Sequence, residues 1–244
     1  MNFRAMTYIV LIFAALFAYA AYNVFLFWSA AQKSAPLIAA TPPFNREDPS
    51  LSKSILVLGD SLAVGVGAPD KETIAARLAT ALHANIANVA KSGAHTSDLE
   101  GQLALAQKSR YDLILIQIGA NDIIQLQSLA KAEGNMGRAL AVAKGKSDRV
   151  VFFTAGDVGD APLWPWPWKH IYSSKTRDLR TRFMALAGKY DALYVDLYAH
   201  GPIFASDPKR YYAVDDLHLT AQGYGKWFEI VLDDISKRWP DLVR

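Results

Sequence analysis

Three residues could do chemistry together: Ser61, Asp215 and His218. Ser61 follows an apolar β-type run at 55–58 that stops at Gly59. A strand ending in glycine delivers the next polar side chains to the carboxyl edge of a sheet, where open α/β sheets place their sites. Ser61 is therefore a candidate nucleophile, and a serine hydroxyl needs a neighbouring base to take its proton. His218 is the candidate base. Asp215 stands three residues before it. On a tight turn that spacing lets the carboxylate reach the imidazole Nδ1, fix the tautomer and stabilise the imidazolium. The order Ser…Asp…His is one that such triads adopt. Each residue also has an ordinary reading: Ser61 as a turn or helix-cap serine, Asp215 and Asp216 as caps of the final helix, and His218 as a loop residue. Asp216 is a lesser rival to Asp215.

The elements that would position these residues alternate between strand and helix. The run 55–58 opens the first strand, and 71–84, with Ile74, Leu78 and Leu82 at helical spacing, is predicted to be a helix. Residues 86–90 form a short strand. Ser97, with Glu100 three positions on, fits a capping box that opens the next helix. Residues 112–118 are nearly continuous apolar β character, as expected for a strand buried on both faces. A helix over 126–144, interrupted near Gly134 and Gly137, leads to a strand at 149–154. A helix at 174–189, a strand at 192–196 and a last helix at 220–237 complete the order, with Trp227, Ile230, Val231 and Ile235 toward the core. This alternation argues for a parallel sheet with helices on both faces.

Four short blocks in this order carry a family resemblance: Gly59-Asp60-Ser61-Leu62, Gly93 within 91–96, Gly119-Ala120-Asn121-Asp122, and Asp215-Asp216-Leu217-His218. They resemble the blocks of the SGNH, or GDSL, hydrolases, and the match covers roughly 53–237. The resemblance implies a three-layer α/β/α sandwich with a five-stranded parallel sheet in flavodoxin-like order 2-1-3-4-5. It implies a serine ester hydrolase of esterase, lipase, lysophospholipase or thioesterase type. It also implies an oxyanion hole built from the Ser61 and Gly93 backbone N–H groups and the Asn121 side-chain amide. Physical chemistry agrees, since glycine lets a substrate approach the backbone closely and asparagine supplies an uncharged donor that cannot be lost by deprotonation. Asp60 and Asp122 are expected to hold loops through side-chain to backbone hydrogen bonds. No G-x-S-x-G surrounds Ser61, so the α/β-hydrolase elbow is excluded. Asp70 stands where a dinucleotide site would need a third glycine after Gly65 and Gly67, and there is no H-E-x-x-H or Walker motif. No cofactor and no metal is expected.

Residues 1–31 hold an almost wholly apolar stretch from Ala5 to Ala31, broken by Thr7, Asn23 and Ser29. It exceeds the ~20 residues that span a bilayer. Ala18-Tyr19-Ala20 offers a small-x-small cleavage site, but cutting there would leave 24–28 exposed. An uncleaved anchor is therefore favoured over a signal peptide. Residues 32–52 contain Pro36, Pro42, Pro43 and Pro49 and are expected to be an extended linker. Residues 53–244 are the catalytic domain, expected outside the cytoplasm, or secreted if the segment is cleaved.

The chain of 244 residues is long enough for one α/β domain plus an appendage. A net charge of +3, without a basic run interleaved with aromatics, argues against nucleic acid as a partner. The absence of cysteine excludes disulfides. The expected partners are a small-molecule or lipid-like acyl ester and, through the amino-terminal helix, a membrane.

A Trp- and Pro-rich loop over 157–170 carries Trp164, Trp166 and Trp168. Three readings stay open for it: a border of an acyl pocket or a membrane contact, a stacking surface for sugars, or cover for the core edge. His95, two residues from Gly93, is a further candidate substrate contact. Arg177, Arg180 and Arg182 read as a solvated helix face or as contacts to phosphate headgroups. Two other functions remain open. One is a carbohydrate O-acetyl esterase or acetyl transferase acting on envelope polymers. The other is a catalytically silent domain that binds glycan or lipid.

Overall fold

The computed structural model describes residues 3–243. The apolar runs form five parallel strands: β1 (Lys53–Gly59), β2 (Ala84–Asn88), β3 (Leu113–Gln117), β4 (Val150–Phe153) and β5 (Leu193–Tyr194). Their order is β2-β1-β3-β4-β5, as expected. Ile55 lies opposite Leu113 and Gly59 opposite Gln117, so β1 and β3 end side by side and release their loops at one edge.

The helices are α1 (Phe3–Ala40), α2 (Ser61–Val64), α3 (Ile74–Ala81), α4 (Leu99–Ala104), α5 (Ala120–Ile124), α6 (Leu129–Lys146) and α7 (Trp168–Tyr190), followed by α8 (Pro202–Ser206), α9 (Pro208–Tyr211), α10 (Ala221–Arg238) and α11 (Pro240–Val243). Strand side chains alternate between the two faces. Ile55, Val57, Leu113 and Leu115 join Leu78 of α3 and Trp227, Val231 and Ile235 of α10 on one face. Leu56, Leu58, Ile114 and Ile116 join Leu103 of α4, Leu140 of α6 and Leu179 and Phe183 of α7 on the other. The sheet is thus covered on both sides, and its strands read as continuous apolar runs.

Three local expectations are corrected. First, α6 is not interrupted at Gly134 or Gly137. Gly137 is buried, and a Cβ there would lie 3.5 Å from Tyr190 Oη and 3.6 Å from Leu186 Cδ2, so its small size serves the packing of α6 on α7. Second, the predicted Ser97–Glu100 capping box is displaced. A turn of 3₁₀ helix, Thr96–Asp98, precedes α4, and Asp98 Oδ2 accepts the His95 N–H at 2.7 Å. Third, 32–52 is not an extended spacer. Helix α1 continues through Pro36 to Ala40. Proline removes one backbone donor, leaving the Gln32 carbonyl without its helical partner, but Gln32 is exposed and water can reach it. Beyond the helix, Arg46 exchanges both backbone hydrogen bonds with Ile86 of β2, at 3.1 and 2.9 Å. Asn85 Oδ1 accepts the Asp48 N–H at 2.6 Å. This segment is fastened to the sheet edge.

Helix α1 is the one described helix long and apolar enough to cross a membrane, and its position near the amino terminus is compatible with an anchor or a signal. Its two halves differ. Residues 3–22 are exposed throughout, whereas Asn23 and Ala30 are buried and Leu26, Phe27 and Leu37 pack against the domain core.

The β1 edge contains two constraints that can be tested. Gly59 has φ +142°, and a Cβ there would collide with the Gln117 carbonyl and lie 2.9 Å from Ala63 Cβ. Gly59→Ala is expected to destabilise the protein by roughly 3 kcal/mol or more, read as a lowered unfolding midpoint in detergent. An unchanged midpoint would contradict the geometry. The second is Asp60, which is 1 % exposed, and burial pushes its carboxyl up to about 7 against the opposing pull of the Leu62 N–H and His218. The folded protein therefore holds a proton that the unfolded chain releases above pH 3.8. This contribution to stability is complete below that pH and is lost as pH rises through about 7. Asp60→Asn should flatten the decline in unfolding midpoint between pH 5 and 8, a window worth on the order of a few kcal/mol. Parallel curves for the two proteins would refute the assignment.

Candidate active site

At the carboxyl edge of β1 the chain turns at Gly59, and Asp60 caps α2 by accepting the Leu62 N–H on Oδ1 at 2.9 Å. Ser61, the first residue of α2, is thereby presented at the sheet edge. The 213–218 turn approaches from the other side. It is closed by the Ala213 N–H to the His218 carbonyl, 2.7 Å, and by the Asp216 N–H to the Ala213 carbonyl, 3.0 Å. Asp216 takes a left-handed conformation, φ +59°, and is exposed, while the imidazole meets Asp215.

Ser61, His218 and Asp215 are brought together. Ser61 Oγ lies 2.9 Å from His218 Nε2, and His218 Nδ1 lies 2.6 Å from Asp215 Oδ2. Asp215 Oδ1 accepts the backbone N–H of His218 at 3.0 Å and of Leu217 at 3.2 Å. Burial alone would raise the Asp215 carboxyl. The hydrogen bond and charge of His218, the Ser34 hydroxyl and the His218 backbone N–H outweigh it and hold the group well below the ordinary carboxylate range.

Gly93 and Asn121 line the same cavity as Ser61 and His218, which encloses about 220 Å³. Gly93 has φ +82°, and a Cβ there would meet nothing within 4 Å, so the space above its backbone is open. Asn121 Nδ2 donates one N–H to the Ala94 carbonyl at 2.9 Å, and a primary amide retains a second. Asp122 ties this loop to its neighbour, accepting the Thr96 N–H at 3.0 Å and the Thr96 hydroxyl at 2.8 Å. The remaining wall is largely apolar, with Ile124, Val158, Phe204, Leu217 and Trp227. Asp157 and Asp160 are its acidic members, and no Lys or Arg lines it among the described residues. No group of three His, Asp or Glu among the described residues could hold a metal ion.

His95, Trp164, Trp166 and Trp168 do not line this cavity. The His95 Nε2 is buried without a hydrogen-bond partner among the described residues, and its backbone N–H caps the following turn. Trp164 is a core residue, donating Nε1–H to the Val158 carbonyl at 2.7 Å and meeting Tyr172 edge-on at 4.8 Å. Trp168 opens α7 and stacks on Tyr172. Trp166 is 71 % exposed. Arg180 pairs with Asp196 and Arg182 with Glu133, so both are engaged within the chain.

Two residues of the cavity wall come from a segment that was not expected to reach the site: Ser34 and Ile38, both of α1. The readable signal was a stripe at alternating spacings of four and three, Asn23, Phe27, Ala30, Ser34, Leu37 and Thr41, inside a segment that otherwise looks apolar all round.

The profile of the GDSL-like lipase/acylhydrolase family matches residues 57–226. No curated protein sequence matches the chain. Among solved structures, phospholipase A1 from Streptomyces albidoflavus is similar at TM-score 0.61 and 20 % identity, over 75 % of this chain and 100 % of that one. A lipolytic G-D-S-L protein from Veillonella parvula matches at TM-score 0.60 and 18 % identity, over 75 % and 97 %. Axe2, an acetylxylan esterase from Geobacillus stearothermophilus, matches at 0.59 and 18 %, over 76 % and 94 %. At these identities the structures establish a shared SGNH-hydrolase fold, and the profile, spanning most of the chain, establishes more: the chain belongs to the GDSL-like lipase/acylhydrolase family of ester-hydrolysing enzymes.

Proposed function

We propose that this enzyme is a membrane-anchored serine esterase that cleaves acyl esters of lipase, lysophospholipase or thioesterase type. The observation that carries the reading is the unbroken hydrogen-bonded line from Ser61 through His218 to Asp215, opening into an apolar cavity. Ser61 Oγ attacks the acyl carbonyl as His218 Nε2 takes its proton. The negative charge on the carbonyl oxygen is met by the Ser61 and Gly93 N–H groups and the free N–H of Asn121. His218 then protonates the leaving alkoxide or thiolate. Water, deprotonated by His218, resolves the acyl-enzyme. Asp215 fixes the ring with Nδ1–H toward itself and stabilises the imidazolium.

The cavity supports an acyl chain as its occupant. Apolar side chains dominate its wall, and among the described residues no cationic side chain lines it to meet a phosphate, so a charged headgroup would remain outside. The kinship in fold with an acetylxylan esterase keeps the O-acetyl reading as the competing enzyme function. The tryptophans that might have stacked on sugar rings lie off the cavity. The exposed stretch 3–22 supports the anchor, since twenty helical residues rise about 30 Å, the thickness of a bilayer's hydrocarbon core.

The test is hydrolysis of p-nitrophenyl esters, acetyl to palmitoyl, by the full chain in detergent and by Ser61→Ala. The variant should lose on the order of 10⁴-fold in rate. Rates for the parent enzyme should rise beyond the acetyl ester, and a maximum at acetyl would favour the O-acetyl reading. Equal rates for parent and variant would remove Ser61 from the mechanism. Activity should also fall toward acid pH as the imidazole becomes protonated and can no longer accept the serine proton. A flat profile from acid to neutral pH would count against His218 as base.

A further inference from the structure

The carboxyl-terminal half of α1 is fastened to the catalytic domain at two places. At one end, Asn23 Oδ1 accepts Trp168 Nε1–H at 3.2 Å, and Phe27 meets Trp164 and Trp168 edge-on at 5.8 and 6.2 Å. The Tyr19 hydroxyl bonds the Trp166 carbonyl. At the other end, Leu37 packs against the core and Ile38 lines the cavity. Between them, one helical turn before Ile38, the Ser34 hydroxyl donates to Asp215 Oδ2 at 2.7 Å. That oxygen is also the one facing His218 Nδ1. The Trp-rich loop therefore serves as a saddle for α1, and the helix brings a donor to the buried end of the relay.

We propose that α1 is a working part of the active site, in which Ser34 is a positioning residue that holds the Asp215 carboxylate in register with His218. The inference rests on the hydrolase reading above and adds a fourth residue to it. The Asp215 side chain is fully buried, so each of its lone pairs needs a donor. Its own turn supplies two backbone N–H groups to Oδ1, but among the described residues Oδ2 has only the imidazole and Ser34. Without the hydroxyl, that oxygen is held on one side only, and the carboxylate can rotate away from the geometry that fixes the imidazole. An Oδ2 bonded from both sides holds the carboxylate in one orientation, which is what an orienting group requires.

The test uses the full chain in detergent micelles and a fluorophosphonate probe, which reports the activated Ser61 without assuming a natural ester. Ser34→Ala should lower the rate constant of labelling at saturating probe roughly ten-fold, the scale of a lost hydrogen bond to a charged group, and leave the half-saturating probe concentration unchanged. Ser34→Thr, which keeps the hydroxyl, should restore labelling to near the parent rate. In an Asp215→Asn background Ser34→Ala should cost little, because Ser34 acts through the carboxylate; a helix contact that merely supports the fold would cost the same in both backgrounds. Thermal unfolding checks that each variant is folded. If Ser34→Ala is not, Ser34→Cys, similar in shape and a weak donor, takes its place. Parent-like labelling of the folded variant, or an equal loss in both backgrounds, overturns the role of Ser34 and leaves the hydrolase reading standing. An unlabelled parent enzyme overturns both.

Discussion

A carboxylate removed from water must be surrounded by donors, and Asp215 draws them from two separate stretches of chain. The 213–218 turn provides the imidazole and two backbone N–H groups, and α1 provides the Ser34 hydroxyl. Within the turn Asp216 takes a left-handed backbone, and the Leu217 and His218 N–H groups both reach one oxygen. His218 is then directed at the edge where Gly59 has delivered Ser61. The sheet, the turn and the amino-terminal helix therefore converge on one buried carboxylate, at the far end of a hydrogen-bonded line from Ser61.

The parallel register sets the rest of the geometry. Gly59 and Gln117 end level with one another, so α2 after β1 and α5 after β3 begin at the same height. Ser61 and Asn121 consequently face one cavity although 60 positions separate them in sequence. The loop carrying Gly93 is brought to the same place by Asp122, whose carboxylate binds both the backbone and the hydroxyl of Thr96. Asp60 works in a similar way within its own turn, through Leu62. Two aspartates that stand next to residues facing the cavity thus act on the backbone that aims them.

The sheet was legible because each strand is a short apolar run bounded by glycine or polar residues, and a parallel sheet buried on both faces requires such runs. Ser61 stood out because it lies just past the end of the first of those runs, and Asp215 and His218 because a carboxylate three residues before an imidazole can reach it on a tight turn. The contribution of α1 was not legible for a physical reason. A segment apolar all round reads as a lipid-facing span, and that pattern masks the stripe from Asn23 to Leu37, where the partner surface is protein. Proline at position 36 pointed to a break, but tertiary contacts from Ser34, Leu37 and Ile38 hold the turn around it. For the Trp-rich loop three readings stood open, and Trp164 and Trp168 take the one in which the rings cover the core edge, closing on Phe27 and Tyr172. Composition does not reveal which partner an aromatic side chain will find.

The continuity of α1 sets a working height. A flexible linker would let the catalytic domain roam over a membrane, but one unbroken helix of 38 residues has no hinge and acts as a ruler. Ser34 stands about 18 Å further along the helix axis than Tyr22, the last residue of the exposed stretch. On the anchored reading proposed above, a bilayer too thick or too thin for 3–22 would tilt the whole rod, and the docked domain with it.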